Sequence, residues 1–440
     1  MTPRPVSPSG GADTAGVAAS AKRKVYVHVV LPLLLTSVIA YIDRINVGYA
    51  ALTMNKDLGF DARVFGLGAG IFFVGYVIFE IPGALLAEKY SPRVWIARIM
   101  VSWGLICGLM AFIRTEREFY IARFLLGVAE ASLYPVIYAT IIPRWFARAD
   151  RARALALLLT SLQISGIIGA PLAGWLLGVP LLGLKGWQGL FILEAVPAVI
   201  FGLVLTRWLA DRPRDAKWLT AEEREYLTAM HERDVQAHGS TKHYTVLEAL
   251  RDREVLKLCG IYFLWITGFW GFNYWMPQVL KGLSGWSNLA IGWLTVVPLT
   301  CSLAFMIAIG HSSSKTGERR WHGALCLFIG AVGLGVGAFV TNPVISFCFV
   351  TLSAVGVYGA LGVWWSYPTT FLSGAAAAGA VGLINSAGNA GGFVGPYLIG
   401  WIKEKSGSFT WAWIYLAASL TAAGLLILTF KKTTREGSRP

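Results

Sequence analysis

Long apolar runs dominate the chain, and polar residues gather in short clusters between them. The first run opens at Val25 and closes only at Lys56. A helix crossing a bilayer needs roughly 20 mostly apolar residues, and twelve runs of that kind can be marked. Six lie near 25–52, 62–88, 93–113, 117–143, 152–178 and 187–209, and six near 255–280, 288–311, 321–341, 343–371, 376–402 and 409–430. The pattern predicts an all-α polytopic membrane protein with twelve transmembrane helices. Residues 1–24 are rich in Ser, Gly, Pro and Ala and end in "KRK", which predicts a disordered tail. The apolar run behind them is too long for the core of a cleavable signal. Residues 210–254 form the one long polar segment, and "TAEE" from Thr220 predicts a capped surface helix inside it. Residues 431–440 read as a second tail.

The two halves repeat each other. Lys89, Arg93 and Trp95 of "KYSPRVW" recur 226 residues later as Lys315, Arg319 and Trp321 of "KTGERRW". Asn46 and Asn273, and Pro171 and Pro396, sit at nearly the same offset. The expected layout is two pseudo-symmetric six-helix bundles, 25–209 and 255–430, joined by the polar linker. Secondary transporters built from such repeats place their site at the repeat interface.

Composition narrows the class further. Only 14% of the 440 residues are charged, against about a quarter in an ordinary soluble protein. The formal net charge of +14 lies in clusters between the apolar runs, so it reads as membrane orientation and not as nucleic-acid binding. With twelve alternating helices, "KRK", Lys89, Arg93, Arg144 to Arg153, the linker, Lys315 to Arg320 and Lys431 fall on one side. Both termini and the linker are therefore expected in the cytoplasm, with the bundles in a bacterial inner membrane. The five cysteines lie inside apolar runs without a CxxC, and the six histidines form no HExxH, so no metal or cofactor is expected. Nor is there a catalytic constellation or large soluble domain, which counts against a membrane-embedded enzyme.

Several stretches resemble a known family. "YIDRINVGYA", "YVIFEIPGALLAEKYSPRVWIARIMVSWG", "RFLLGVAEASLYP", "RWFARADRARA", "GWQGLFILEAVPA" and "GLINSAGNAGGFVGPYLIGW" are similar to the major facilitator superfamily, and within it to the anion:cation symporter branch. The resemblance covers about residues 25 to 430. It implies import of an organic anion, such as a sugar acid, tartrate, phthalate or hydroxyphenylacetate, driven by protons and no other cofactor. A monomer is the default for this fold.

An ionisable group at mid-bilayer costs on the order of 3 kcal/mol or more, so each one needs a cavity or a partner. Asp43 and Arg44 interrupt the outer part of the first run, and the chain stays apolar after them. Neighbouring helical residues do not face each other. Arg44 is thus available to a substrate carboxylate, and Asp43 becomes a candidate proton carrier because a desolvated carboxyl favours its neutral form. The resemblance gives Glu130, in "RFLLGVAE", a part in proton coupling. Arg123 and Glu194 lie at similar depth and are expected to form a structural ion pair. Glu80 is expected to act as a gate or structural charge with Arg93 or an arginine of the fourth-to-fifth-helix loop, beside Lys89. Tyr41, Tyr76, Gln163, Asn273, Tyr358, Ser366, Asn385 and Asn389 would line a cavity suited to hydroxyls and a carboxylate. The alternatives are a proton-independent uniporter or exchanger and a transporter-derived sensor.

Overall fold

The computed structural model describes residues 11–430 except 180, 182, 239–250, 366 and 368–375, so Ser366 lies outside the described residues. Helix boundaries follow local chemistry. Asp61 accepts the amide of Val64 at one start, Thr115 and Glu118 form a capping box at another, and Asn342 caps a helix that begins with Pro343. Gly59, Gly285 and Gly317 end helices in the left-handed conformation that a Cβ would strain. The spanning helices are α1 Ala15–Leu58, α2 Ala62–Ala87, α3 Pro92–Phe112, α4 Glu116–Trp145, α5 Arg153–Leu176, α6 Gly186–Trp208, α7 Arg253–Ser284, α8 Asn288–Thr316, α9 Arg320–Gly337 and α10 Pro343–Trp364. α11 is Ala376–Ser406 and α12 is Thr410–Leu428. Among the described residues all but α11 are long and apolar enough to cross a membrane by themselves. α11 carries Asn385, Asn389 and many glycines, and it is packed between α7 and α2. Large apolar side chains such as Leu85, Leu105, Ile121, Ile200 and Val344 point outward, where lipid replaces water.

α1 to α6 form one bundle and α7 to α12 the other. They meet along α1 with α7, α2 with α11, and α5 with α8. The last two contacts are one contact made twice. A Cβ on Gly66 of α2 would press on the Pro396 carbonyl of α11, and a Cβ on Gly292 of α8 would press on the Ala170 carbonyl of α5. Gly400 of α11 lies against Ala62, and Gly174 of α5 against Asn288. Each residue of one set stands 226 positions from its counterpart in the other. The repeat offset of the sequence is thereby the symmetry of the interface. All eight residues lie on the face opposite the chain ends, the distal face, which is closed.

The linker helix and the described ends of the chain, Gly11 and Phe430, share the other, terminal face. Here the expected disordered tail is corrected over residues 11–24, residues 1–10 lying outside the described residues: from Gly11 the chain is helical and continues as α1, with one π turn at Tyr26–Val30. The reason is a set of acidic partners. Ser20 and Lys24 donate to Glu223 at 2.6 and 2.7 Å, and Lys22 pairs with Asp150 at 2.5 Å. Glu223 belongs to the linker helix Ala221–His238, whose start it caps reciprocally with Thr220. Burial alone would raise the Glu223 carboxyl, but bonds from Lys24, Ser20 and the Thr220 amide hold it at about 2. A carboxyl held low stabilises the clasp above its ordinary value, and that stability goes as pH falls from about 4.5 through about 2. At neutral pH Glu223→Gln is expected to raise amide exchange across residues 15–25 about tenfold or more, since charged hydrogen bonds contribute about 1.5–3 kcal/mol. Unchanged exchange there would mean the apolar contacts of Ala21 and Val25 hold the tail by themselves.

Candidate functional site

α4 does not run straight through the membrane. Its first segment ends at Glu130, Ala131 is extended, and Ser132 takes a left-handed φ of 71°. Pro135 explains the break, because its ring clashes with the carbonyl four residues back, that of Ala131. The strained Ser132 is fully buried and accepts a hydrogen bond from Trp95 Nε1 at 3.0 Å. Broken helices inside a bundle are where transporters place their sites. Here the break leaves a carboxyl at a helix C-terminus, the negative end of the helix dipole.

The cation that answers it is Arg44, which pairs with Glu130 through Nη2 while both are buried. Around the guanidinium stand five aromatic rings, with centroids at 5.0 Å for Phe72, 5.3 Å for Tyr76, 5.4 Å for Tyr41, 5.6 Å for Trp270 and 5.9 Å for Tyr134. Trp270 comes from α7, so the box is closed by the second bundle. The Nε of Arg44 has no partner, leaving one donor of the planar fork available.

Asp43 points elsewhere. Its Oδ1 accepts from Asn46 Nδ2 at 3.1 Å and from Cys107 Sγ of α3 at 2.5 Å. Glu194 of α6 lies close to Asn46 and within electrostatic reach of Asp43, yet neither of its oxygens has a hydrogen-bond partner. The expected Arg123–Glu194 ion pair is not formed. Equal depth places two residues in one layer but says nothing about the direction each faces. Arg123 turns instead to the carbonyls of Gly68 and Ala69 and to Tyr274, bracing α2 against α7.

Glu80 is likewise corrected. It accepts from Asn385 Nδ2 of α11 at 2.6 Å, and Asn389 stands beside the same carboxyl. Arg93 is occupied by other groups: its amide donates to Asp211, which also binds Ser91, and its guanidinium reaches the Leu209 carbonyl. Lys89 is exposed beside Tyr90 at the terminal face. Asn273 and Tyr358 bind each other, the phenol donating to the amide oxygen at 2.5 Å. Gln163 is fully buried and donates to Met306 Sδ of α8 at 3.0 Å, with Oε1 unpartnered. Of the expected cavity residues, Tyr41 and Tyr76 gather directly around Arg44. Asn273, Tyr358, Asn385 and Gln163 lie at contacts between helices. Phe72 and Tyr134 were not foreseen as site residues, and Trp270 belongs to a group of tryptophans expected mainly to pack, with one or two flooring the cavity. Their signal, aromatic residues in apolar helices, is the same as that of ordinary packing. Among the described residues no cluster of His, Cys, Asp or Glu could hold a metal ion.

A profile of the Major Facilitator Superfamily matches residues 33–396. A protein of Agrobacterium vitis described as "Putative tartrate transporter" is 41% identical over 417 residues, 94% of this chain and 95% of its own length. A "Quinolone resistance transporter" of Acinetobacter baumannii is 36% identical, covering 94% of this chain and 96% of its own. The inward-open structure of the xylose transporter XylE from E. coli superposes with a TM-score of 0.73 at 16% identity, over 92% of this chain and 96% of XylE.

Proposed function

The chain belongs to the Major Facilitator Superfamily, and from that premise we propose that it imports a small organic anion by proton symport with alternating access. The observation that carries this reading is the buried Arg44–Glu130 pair in an aromatic box shared by both bundles. A guanidinium matches a carboxylate with two parallel hydrogen bonds, and aromatic walls exclude the water that would compete. Arg44 cannot serve Glu130 and a substrate carboxylate equally. When a substrate takes the guanidinium, Glu130 is left at the negative end of a helix without its cation, and a proton is its replacement. Asp43 is proposed as a further proton carrier, buried and turned away from Arg44. On the distal side, protons and anion enter together. On the terminal side, protons leave, the carboxylates regain their charge and Arg44 returns to Glu130.

The basic clusters of the terminal face support a cytoplasmic location for both chain ends and the linker, in a bacterial inner membrane, with the bundle pair working as a monomer. The tartrate name of one relative favours a hydroxylated acid as cargo. The ring of tyrosines also accommodates an aromatic carboxylate.

Uptake into proteoliposomes under an imposed pH gradient tests the reading. Glu130→Gln is expected to lose accumulation above equilibrium while keeping counterflow of labelled substrate, because the anion site survives and the coupling does not. Full gradient-driven accumulation in that variant would refute proton coupling through Glu130. Uptake by the unmodified protein that ignores the gradient would instead indicate a uniporter or exchanger.

A further inference from the structure

Among the described residues, six carboxyl or guanidinium side chains are buried at 5% exposure or less within the first bundle. Four are acids, Asp43, Glu80, Glu130 and Glu194, and two are cations, Arg44 and Arg123. Glu130 takes Arg44. Glu80 is held by amides at the bundle interface. Arg123 donates to two backbone carbonyls and a phenol and touches no carboxylate. Asp43 and Glu194 remain, in one compartment bounded by α1, α3 and α6.

The hydrogen-bond inventory of that compartment is short of donors. Asn46 spends its amide N–H groups on Asp43 Oδ1 and Cys107 Sγ. Cys107 has its one S–H to give, and both Asp43 Oδ1 and the Phe191 carbonyl lie within its reach. Three buried acceptor atoms, Glu194 Oε1, Glu194 Oε2 and Asn46 Oδ1, make no hydrogen bond, and the one amide beside Glu194, that of Asn46, is the amide that already serves Asp43. The other polar groups near the pair do not supply one. Tyr49 of α1 stands beside Thr295 of α8 and makes no hydrogen bond to Glu194, and Arg123 and Glu130 of α4 act on Asp43 only through space. Two bare carboxylates buried in one compartment would each stand several kcal/mol above their solvated state. One hydrogen on either carboxyl removes a charge and supplies a missing donor.

We propose that Asp43 and Glu194 share a single proton, and that Glu194 joins Glu130 and Asp43 as a third proton-binding residue of the transport cycle. The inference rests on the proton-symport reading, and it adds a location. Asp43 and Arg44 are adjacent, so they project about 100° apart around α1. The shared proton is therefore separated from the anion by the backbone of α1, and the two ligands never compete for the same atoms. Cys107 and Asn46 act as positioning residues that fix the carboxyl of Asp43.

The test compares wild type, Glu194→Gln and Asp43→Asn by infrared spectroscopy at neutral pH and by the pH profile of uptake. Wild type is expected to show the C=O stretch of a protonated buried carboxyl. Glu194→Gln, nearly isosteric, leaves Asp43 beside an amide donor, so the remaining carboxylate keeps its charge and the band is lost. The alkaline limb of the uptake profile should move about one pH unit or more toward acid, with counterflow retained. Asp43→Asn should remove the same band from the other side of the pair, and it serves as the test should Glu194→Gln not fold. A band and profile unchanged in the variants would overturn the proposal, because a merely structural Glu194 moves neither. Wild-type protein with the band but without any pH-driven uptake would refute the symport reading and leave proton sharing intact.

Discussion

Arg44→Lys is expected to lower uptake and substrate binding about 100-fold or more while the protein stays folded. Lysine keeps the positive charge, so Glu130 is not left unpaired and the stability of the bundle should hold. What disappears is the planar fork, which offers a carboxylate two parallel bonds and stacks against Phe72, Tyr76 and Trp270. Charge-assisted bidentate recognition with ring contacts is worth about 3 kcal/mol, and about 1.4 kcal/mol corresponds to tenfold. Binding measured by thermal shift against a panel of organic acids, with uptake in parallel, provides the check. Near-normal affinity in the lysine variant would mean that a point charge suffices and that the aromatic box serves only for packing.

The second large effect concerns the distal gate. Gly400→Val and Gly174→Val are each expected to reduce uptake to background by preventing closure of the distal face. A side chain at Gly400 meets the Ala62 carbonyl, and one at Gly174 meets the Asn288 carbonyl; backbone cannot swing aside as a side chain tip can. Overpacking a close contact typically costs about 1–3 kcal/mol or more, enough to displace an equilibrium between conformations of similar stability. Because Gly174 and Gly400 are counterparts in the repeat, the two variants should behave alike. Cysteine-reactive probes applied from the distal side should label Trp270→Cys faster in both variants than in the parent, whose distal face closes for part of each cycle. Gly260→Val is the control, since nothing lies within 4 Å of a Cβ there. Normal uptake in either gate variant would show that the distal contact is not needed for the cycle.

The sequence was most informative where the membrane is the controlling solvent. Run lengths reveal helices because hydrocarbon leaves the backbone no other way to satisfy its polar groups. The 226-residue offset between Lys89 and Lys315 is the same offset that relates Gly66 to Gly292 and Gly174 to Gly400 across the gate. Those glycines were visible from the start, but only the contacts distinguish them from the other glycines of the chain. Arg44 and Glu130 stood out because buried charge is costly wherever it occurs. Their mutual pairing did not, since it depends on the break after Glu130 and on the direction α1 presents to α4.

Depth along a helix can be counted from the sequence, whereas azimuth and neighbour are set by packing. That is why Arg123 and Glu194, equal in depth, turn away from each other, and why Glu80 finds an amide 305 residues distant instead of a nearby arginine. It also explains the "KRK" segment, polar and tail-like as text, which becomes a helix because Glu223 and Asp150 fold back to meet it. From the sequence alone follow the membrane-spanning helices, their duplication and the identity of the few charges placed among them. Which charge meets which was decided by the tertiary structure, because in a medium without water each buried ion is governed by the groups that packing brings within a few ångströms.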